Sequence, residues 1–298
     1  MADNVQIYQV TNRIVPNFKL AKNVSNKNSG TYQKLLSGSE GTVVEKKNHK
    51  RGKRIIDEVL TTYKISNADG FDNSDPLTEF DRAVLSVCAA YFEDGFKHIT
   101  VAMIFRGLTG KKGSDAQPSV DQYDAILYSI TKLMKTLISI NDSETNELLG
   151  YEQGKSITCS AILPAQFTET TVNGQKTATI KFDRISPLID IGKKRKQLLT
   201  FDSSLLDVPN QNNTPLVISL KNYVVVRICE IKLHKMTPTL TFDDIFKKCR
   251  IADDPKKTKE NARNTLQKFF QHLQDVGFIS SFYFVKEHNK FKKIRFSY

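Results

Sequence analysis

The chain has 298 residues, of which 39% are hydrophobic and 26% charged, and it carries a formal net charge of +12. This length suits two domains of ordinary size. With no apolar run near the roughly 20 residues of a membrane span and no secretory signal pattern, the sequence predicts a cytoplasmic protein. A sequence pI of about 9.4 favours a polyanionic partner over an anionic membrane surface, because no basic amphipathic anchor helix accompanies it.

The residue types of metal and catalytic sites occur without the required spacings. The cysteines (88, 159, 229 and 249) form no C-x-x-C pair, and the five histidines are scattered. No P-loop, nucleophile elbow or H-E-x-x-H pattern is present. We therefore predict no catalytic residue, no metal, no cofactor and no enzymatic activity.

Residues 1–76 are predicted to form a basic, partly flexible N-terminal extension. Between Arg13 and Lys64 there are twelve basic and four acidic residues, and 17–54 is poor in large apolar side chains. Such composition is typical of a flexible arm, for which phosphate contact and simple solvation are equally open readings. The β-branched run 55–65 favours a strand, with a helix as the alternative.

Residues 77–190 are predicted to form the first domain. Thr78 is a plausible cap for a first helix, a short second helix ends at Thr109-Gly110, and a third runs from about 120 to 137. Two β-rich stretches flank Asn173-Gly174, a strong hairpin signal. Residues 191–215 are then predicted to be a basic linker, which contains the cluster GKKRK at 192–196.

Residues 216–298 are predicted to form the second domain. A helix over 216–233 is followed by a short helix capped by Thr241, and then by a long amphipathic helix that Gly277 ends. The period then changes to two, which predicts a hairpin with a basic tip. The apolar stripe of the long helix consists of Ala262, Leu266, Phe269, Phe270, Leu273 and Val276.

The two helical regions align with each other at a nearly constant offset. Ile99–Arg106 lies over Leu240–Lys247 at a shift of 141 residues, and the Thr-capped short helix occurs at matched positions in both. One helix–helix–helix–hairpin plan is therefore predicted twice. The predicted fold class is α+β, with two winged-helix domains in tandem.

The outward face of the long helix suggests contact with DNA. It carries amides and lysines, which can pair with adenine, guanine or phosphate, and the adjacent wing is basic. An ordinary solvated helix face is the alternative reading. The predicted DNA-binding residues are Lys256, Lys257, Asn261, Arg263, Asn264, Lys268, Lys290, Lys292, Lys293, Lys132, Lys135, Lys193, Lys194 and Arg195.

The predicted arrangement resembles a known family, the plasmid-type replication initiators, which bind short direct repeats (iterons) at an origin. The resemblance covers roughly 76–298 and includes the L-T-x-x-D-R opening at Leu77, Thr78, Asp81 and Arg82. It implies that both winged helices bind double-stranded DNA and that the first also mediates homodimerisation. It further implies opening of an AT-rich origin segment and recruitment of the host replicative helicase or its loader.

One feature of the first domain departs from that pattern. The outward face of its third helix begins with Asp121 and Asp124, which would face phosphates, and only later carries Lys132 and Lys135. Protein contact or phosphate contact suits this face better than base reading. The leading hypothesis is an initiator of a plasmid, phage or integrated mobile element. The alternatives are a transcriptional regulator or partition adaptor with the same modules, and a protein-interaction scaffold.

Overall fold

The structure is a computed structural model that describes residues 12–16, 41–51, 54–67, 77–113, 116–141, 157–172, 175–194, 198–288 and 290–298. Within these ranges the chain is α+β, with seven α-helices and with antiparallel strand pairing throughout, as predicted for the class. The predicted Asn173-Gly174 turn and Arg195 lie outside the described residues.

Three strands fall inside the predicted N-terminal extension. They are β1 (Asn12–Pro16), β2 (Gly41–Arg51) and β3 (Arg54–Asn67). Because β2 pairs with β3 along its whole length, the prediction of a flexible arm is wrong for 41–51. Polar composition misled the prediction, since a hairpin ladder is built from backbone groups that every residue but proline supplies. The strand predicted at 55–65 is confirmed.

The first helical region contains three helices and five strands. In chain order they are α1 (Glu79–Glu93), β4 (His98–Thr100), α2 (Val101–Thr109), α3 (Val120–Lys135), β5 (Thr136–Asn141), β6 (Ile157–Ala161), β7 (Ala165–Val172) and β8 (Gln175–Phe182). One sheet has the order β4-β8-β7, and a second has the order β2-β3-β5-β6. The segment 41–67 is therefore paired with a strand that directly follows α3.

Local sequence accounts for the ends of these helices. Thr78 Oγ1 accepts from the Asp81 backbone at 3.2 Å, and the Asp81 carboxylate accepts from the Thr78 backbone at 2.7 Å, which is a capping box. Ser119 and Gln122 cap α3 in the same way. At the end of α2, Gly110 adopts φ +73, a conformation that favours glycine. The predicted Thr78 cap and Gly110 stop are confirmed.

The segment predicted as a basic linker is packed into the fold. It contains the second half of α4 (Pro187–Lys194), then β9 (Leu198–Asp202) and a 3₁₀ turn over Ser203–Leu206. Strand β9 pairs with β1, and Ile189 and Ile191 of α4 are buried. The predicted linker is therefore a packed segment and not a plain connection, because Ile191, Phe201 and Leu206 each belong to an apolar core.

The second helical region repeats the element order of the first. Its elements are α5 (Pro215–His234), β10 (Thr239–Thr241), α6 (Phe242–Lys248), α7 (Lys256–Asp275), β11 (Ser281–Glu287) and β12 (Lys290–Ser297). Strands β4 and β10 begin 141 residues apart, and the sheet order β10-β12-β11 matches β4-β8-β7. Among the described residues β5 and β6 have no counterpart here. Assignment of either region to the winged-helix class stays a prediction.

Each region has its own apolar core, and the two regions pack together through α1 and α5. Polar contacts reinforce this junction: Arg250 Nη2 donates to Leu77 O at 3.2 Å, and Gln122 Nε2 donates to Asn213 O at 2.8 Å. The Arg250 guanidinium thus bonds a carbonyl of the first region, and the Gln122 amide bonds a carbonyl of the segment just before α5. The relative placement of the two regions is therefore held by hydrogen bonds as well as by apolar burial.

Helix α7 buries the predicted apolar stripe with one exception. Its residues Ala262, Leu266, Phe269, Phe270 and Leu273 are at most 2% exposed. Val276, in contrast, is 51% exposed, so its assignment to the stripe is wrong. The helix ends one residue earlier, at Asp275, and Gly277 at φ +73 turns the chain away before Val276 can reach the core.

Candidate nucleic-acid interface

The polar face of α7 lies on the outside of the molecule, as predicted. Burial of the apolar stripe fixes the rotation of the helix, so the residues about 180° away from Leu266 must face solvent. All the residues predicted for this face are exposed. They are Lys257, Glu260, Asn261, Asn264, Lys268 and Gln271.

An open groove of about 1030 Å³ borders the amino-terminal half of this helix. Its walls are α6, the first turns of α7 and the start of β12. Six basic and three acidic side chains line it, so the groove carries a net positive charge. The basic ones are Lys247, Lys256, Lys259, Arg263, Lys290 and Lys292, and the acidic ones are Asp243, Asp253 and Glu260.

Arg263 is held on the groove wall by three aromatic rings. Its guanidinium carbon lies 5.5 Å from the ring centre of Phe246, 5.8 Å from Phe242 and 5.9 Å from Phe291. Contact of a guanidinium with ring faces is attractive, and the planar group loses little freedom when it binds an anion. Its Nε is buried and has no hydrogen-bond partner among the described residues. The group is thus positioned before any ligand arrives.

The hairpin β11–β12 presents alternate residues to opposite sides. Phe291 packs against Phe242 and Phe284, so its neighbours Lys290 and Lys292 are exposed on the groove side. Lys293 is different, because its Nζ lies 3.3 Å from a carboxylate oxygen of Glu287 on the paired strand. Its charge is therefore partly neutralised within the hairpin.

Lys132 is not part of a surface, and its prediction as a DNA-binding residue is wrong. It is 2% exposed, and its Nζ lies 3.1 Å from Asp81 Oδ2. The same carboxylate accepts from Thr78 and, at 2.7 Å, from Ser129 Oγ. Of the L-T-x-x-D-R opening, Thr78 and Asp81 thus form a cap and a buried ion pair, which is a structural role and not a contact with DNA.

The remaining outward face of α3 agrees with the expected departure. Asp121 and Asp124 are exposed, Tyr128 is 51% exposed, and Lys135 is exposed near the end of the helix. Thr131 is half-buried and donates its hydroxyl to Leu127 O at 3.0 Å. The first two turns of this face are therefore acidic, in contrast with the face of α7.

The basic cluster between the two regions is only partly described. Lys193 is exposed and its Nζ lies 2.5 Å from Glu93 Oε2, so its charge already has a partner. The side chain of Lys194 and the whole of Arg195 lie outside the described residues.

Lys256 lies at the start of α7. Its Nζ is 3.7 Å from Glu260 Oε1 and its side chain is 89% exposed, which makes that ion pair weak.

Two groove lysines were not predicted. Lys247 belongs to α6 and Lys259 to α7, and both line the groove. A helical projection of α7 alone does not show where α6 lies, although the run Lys247-Lys248 at the end of a short helix was visible in the sequence. In the part of the chain that the structure describes, no group of three or more histidine, cysteine or acidic residues could hold a metal ion.

Comparison with known proteins gives distant structural similarity only. No family model matches the chain, and a search of curated proteins found no match. A crystal structure of selenomethionine derivatives of domains 2 and 3 of RctB is 13% identical, with a TM-score of 0.41, and covers 90% of this chain and 96% of that one. Another structure of RctB domains 2–3 is 10% identical, with a TM-score of 0.39 and coverages of 89% and 96%.

None of the described helices is both long and apolar enough to cross a membrane.

Proposed function

We propose that the chain is a sequence-specific double-stranded DNA-binding protein, the replication initiator of a plasmid, phage or integrated mobile element. One observation carries the DNA-binding part: an exposed amide-and-lysine face on α7 lies beside a basic groove and a basic hairpin. In this proposal the chain acts by binding and deforming DNA and not by catalysis.

Both helical regions are winged helices in this proposal, and α7 is the recognition helix of the second. A helix of 20 residues is about 30 Å long, and the major groove, about 12 Å wide, admits it. Asn261, Asn264 and Lys268 then read base edges. Lys257 and the stacked Arg263 hold phosphates, while Lys290 and Lys292 grip the adjacent backbone.

Initiation is the less direct part of the proposal. It is supported by the resemblance to iteron-binding initiators, with the regions in tandem and an excess of basic residues. The protein would bind repeats at an origin and help to open it. The acidic, partly aromatic face of α3 suits a protein partner, either a second copy of the chain or the host replicative helicase or its loader.

The base-reading role is tested by Asn264→Ala. The preferred site is first selected from randomised duplexes, and affinities for that site and for a scrambled duplex are measured by fluorescence anisotropy at fixed salt. Loss of bidentate pairing should cost about 1–3 kcal/mol on the selected site and little on the scrambled one. Asn212→Ala, which removes another exposed amide outside α7, is the matched control and should change neither affinity.

Two outcomes would contradict the proposal at different levels. Equal losses on both duplexes would leave Asn264 without a base-reading role, although DNA binding would stand. Absence of any salt-dependent duplex binding would remove the DNA-binding function itself and favour the protein-interaction scaffold.

A further inference from the structure

The hairpin β2–β3 continues well past the sheet from which it starts. Strand β5 pairs with β3 only from Thr62 to Asn67, and β2 is the edge strand of that sheet. Beyond this point, within the described residues, 46–51 and 54–59 pair only with each other. At about 3.4 Å per residue, the stretch from Arg54 to Thr61 is about 24 Å long. A two-stranded ribbon of that length leaves the sheet.

A β-bulge stands where the ribbon leaves the sheet. Glu45 is opposite Thr61, whereas the next residue, Lys46, is opposite Val59, which leaves Leu60 without an opposed residue. Bulges of this kind bend a strand and increase its twist, and they are enriched at sheet edges and beside functional sites. The bulge lies directly next to Thr62, the last β3 residue that β5 pairs. The ribbon is therefore set at its own angle to the sheet.

The positive charge of the ribbon is confined to the part beyond the bulge. Sequence positions 46–61 contain six basic residues and two acidic ones, Asp57 and Glu58, whereas the edge of the sheet at 41–45 contains no basic residue. The register brings Arg51 opposite Arg54 and Lys50 opposite Ile55 at the far end. Like charges at neighbouring register positions repel one another, and a bound polyanion relieves that repulsion.

We propose that the ribbon formed by residues 46–51 and 54–61 is a second DNA-binding element, which lies in the major groove with its basic end against the flanking phosphates. The major groove admits a two-stranded ribbon as well as a helix, and such ribbons are an established means of DNA recognition. The ribbon is long enough to follow a groove about 12 Å wide across its full width. This inference rests on the proposed DNA-binding function and assigns it a site apart from α7.

The test is the salt dependence of duplex binding by the full chain. In the first variant Lys46, Lys47, Lys50 and Arg51 are changed to Gln. In the second, residues 47–58 are replaced by Asn-Gly, which joins the paired residues Lys46 and Val59 through a two-residue turn. The matched control removes four exposed charges elsewhere by Lys97→Gln, Lys112→Gln, Lys181→Gln and Lys235→Gln. Circular dichroism verifies that each variant is folded.

Each phosphate contact contributes about 0.9 to the slope of log affinity against log salt concentration. Both ribbon variants should reduce the magnitude of that slope by about 2 to 4, with at least a tenfold loss of affinity near 100 mM salt, and the control should change it much less. Asn264→Ala should leave the slope unchanged, because Asn264 carries no charge.

The outcomes separate this inference from the proposed function. If the unaltered chain binds duplex DNA and the ribbon variants behave like the control, the ribbon inference is overturned while the proposed function stands. If the unaltered chain binds no duplex even at low salt, both fall. Unchanged duplex binding together with lost binding to phosphatidylserine vesicles would also overturn the inference, in favour of a membrane surface.

Discussion

Two lysines of this chain, Lys132 and Lys221, are 2% and 0% exposed, and each is surrounded by acceptors. Lys132 faces the Asp81 carboxylate, whereas Lys221 Nζ donates to Leu206 O at 2.6 Å and to Asn213 Oδ1 at 2.7 Å. A buried charge needs such partners, because desolvation otherwise costs several kcal/mol. Lysine content therefore does not measure the basic surface of this protein, since two of its lysines stabilise the fold.

Lys132→Ala should destabilise the protein, because it leaves the Asp81 carboxylate buried without its counter-charge. Breaking a buried pair costs about 3–5 kcal/mol, which urea unfolding measures directly. Lys135→Ala is the matched control, since it removes the same charge from an exposed position on the same helix, and it should cost less than about 1 kcal/mol. Equal losses for the two variants would show that the Lys132–Asp81 pair is not structural.

Lys221 should make stability depend on pH in an unusual direction. Burial lowers its pKa from 10.5 to about 7, although Asp207 opposes the shift. Between those values the unfolded chain binds the proton and the folded chain does not, so stability increases with pH. From pH 7 to pH 9 the gain is about 2 kcal/mol.

The comparison for Lys221 is with Lys221→Met, which keeps an unbranched side chain, shorter by one heavy atom, and removes its titration. Urea unfolding at pH 7, 8 and 9 gives the difference in free energy between the two proteins at each pH. That difference should move by about 2 kcal/mol in favour of the unaltered protein as the pH increases. Parallel pH profiles for the two proteins would contradict the lowered pKa.

The incorrect prediction of Lys132 as a DNA-binding residue also shows what a single sequence can and cannot predict. A helical projection places a residue relative to its own helix, and it placed Asn264 and Lys268 of α7 correctly because the stripe of that helix is unambiguous. Lys132 lies beside the stripe of α3, where α1 packs. Its partner Asp81 is distant in sequence, so only the tertiary packing of two helices determines whether the lysine is buried.

At the scale of elements, the residues that cap or end helices were the most reliable sequence signal. Thr78, Thr241 and Gly110 marked helix ends correctly, because caps depend on neighbouring residues alone. The strands β1 and β9 escaped prediction for the opposite reason. Each is defined by a backbone partner, and β1 pairs with β9 across most of the chain length. Pairing at that separation leaves no local pattern.

Helix α5 ends at a residue whose backbone conformation is unfavourable for its residue type. Lys235 closes α5 with φ +51, a left-handed conformation that costs a non-glycine residue about 1–2 kcal/mol. Lys235→Gly removes that cost but gives the unfolded chain more freedom, worth about 0.4–1 kcal/mol. The net expectation is a stabilisation of about 0.5–1 kcal/mol, measured by urea unfolding.

Lys235→Ala separates backbone strain from charge in that experiment. It removes the same exposed ammonium but keeps a Cβ, so the left-handed strain remains and no stabilisation is expected. If alanine stabilised the protein as much as glycine, the effect would come from reduced charge repulsion near Lys232 and not from the backbone.

At the scale of the whole molecule, two cores are joined by a segment that both regions contact. Lys221 of α5 donates a hydrogen bond to the carbonyl of Leu206, and Gln122 of α3 donates one to the carbonyl of Asn213. Gly110, at the end of α2, approaches the same segment so closely that a Cβ there would lie 2.2 Å from Ser203 O. The fit between the regions therefore depends on a position where only glycine can be accommodated.

The consequence is that Gly110→Ala should separate the two regions, whereas Gly277→Ala should not. Both glycines have φ +73, so both substitutions incur the same left-handed strain of about 1–2 kcal/mol. A Cβ at Gly277 meets nothing within 4 Å, whereas one at Gly110 collides with backbone of the 3₁₀ turn. The loss in Gly110→Ala should therefore exceed that in Gly277→Ala by about 1–3 kcal/mol.

Calorimetry distinguishes a local loss from a loss of coupling between the regions. Because the turn is pushed away from α2, Gly110→Ala should unfold in two resolved heat-absorption peaks, one for each core, while Gly277→Ala keeps the profile of the unaltered protein. Such uncoupling would also change DNA recognition if the two regions contact one duplex, since their fixed spacing sets the distance between the segments that they bind. Equal stabilities and identical single transitions for the two variants would show that the Gly110–Ser203 approach does not couple the regions.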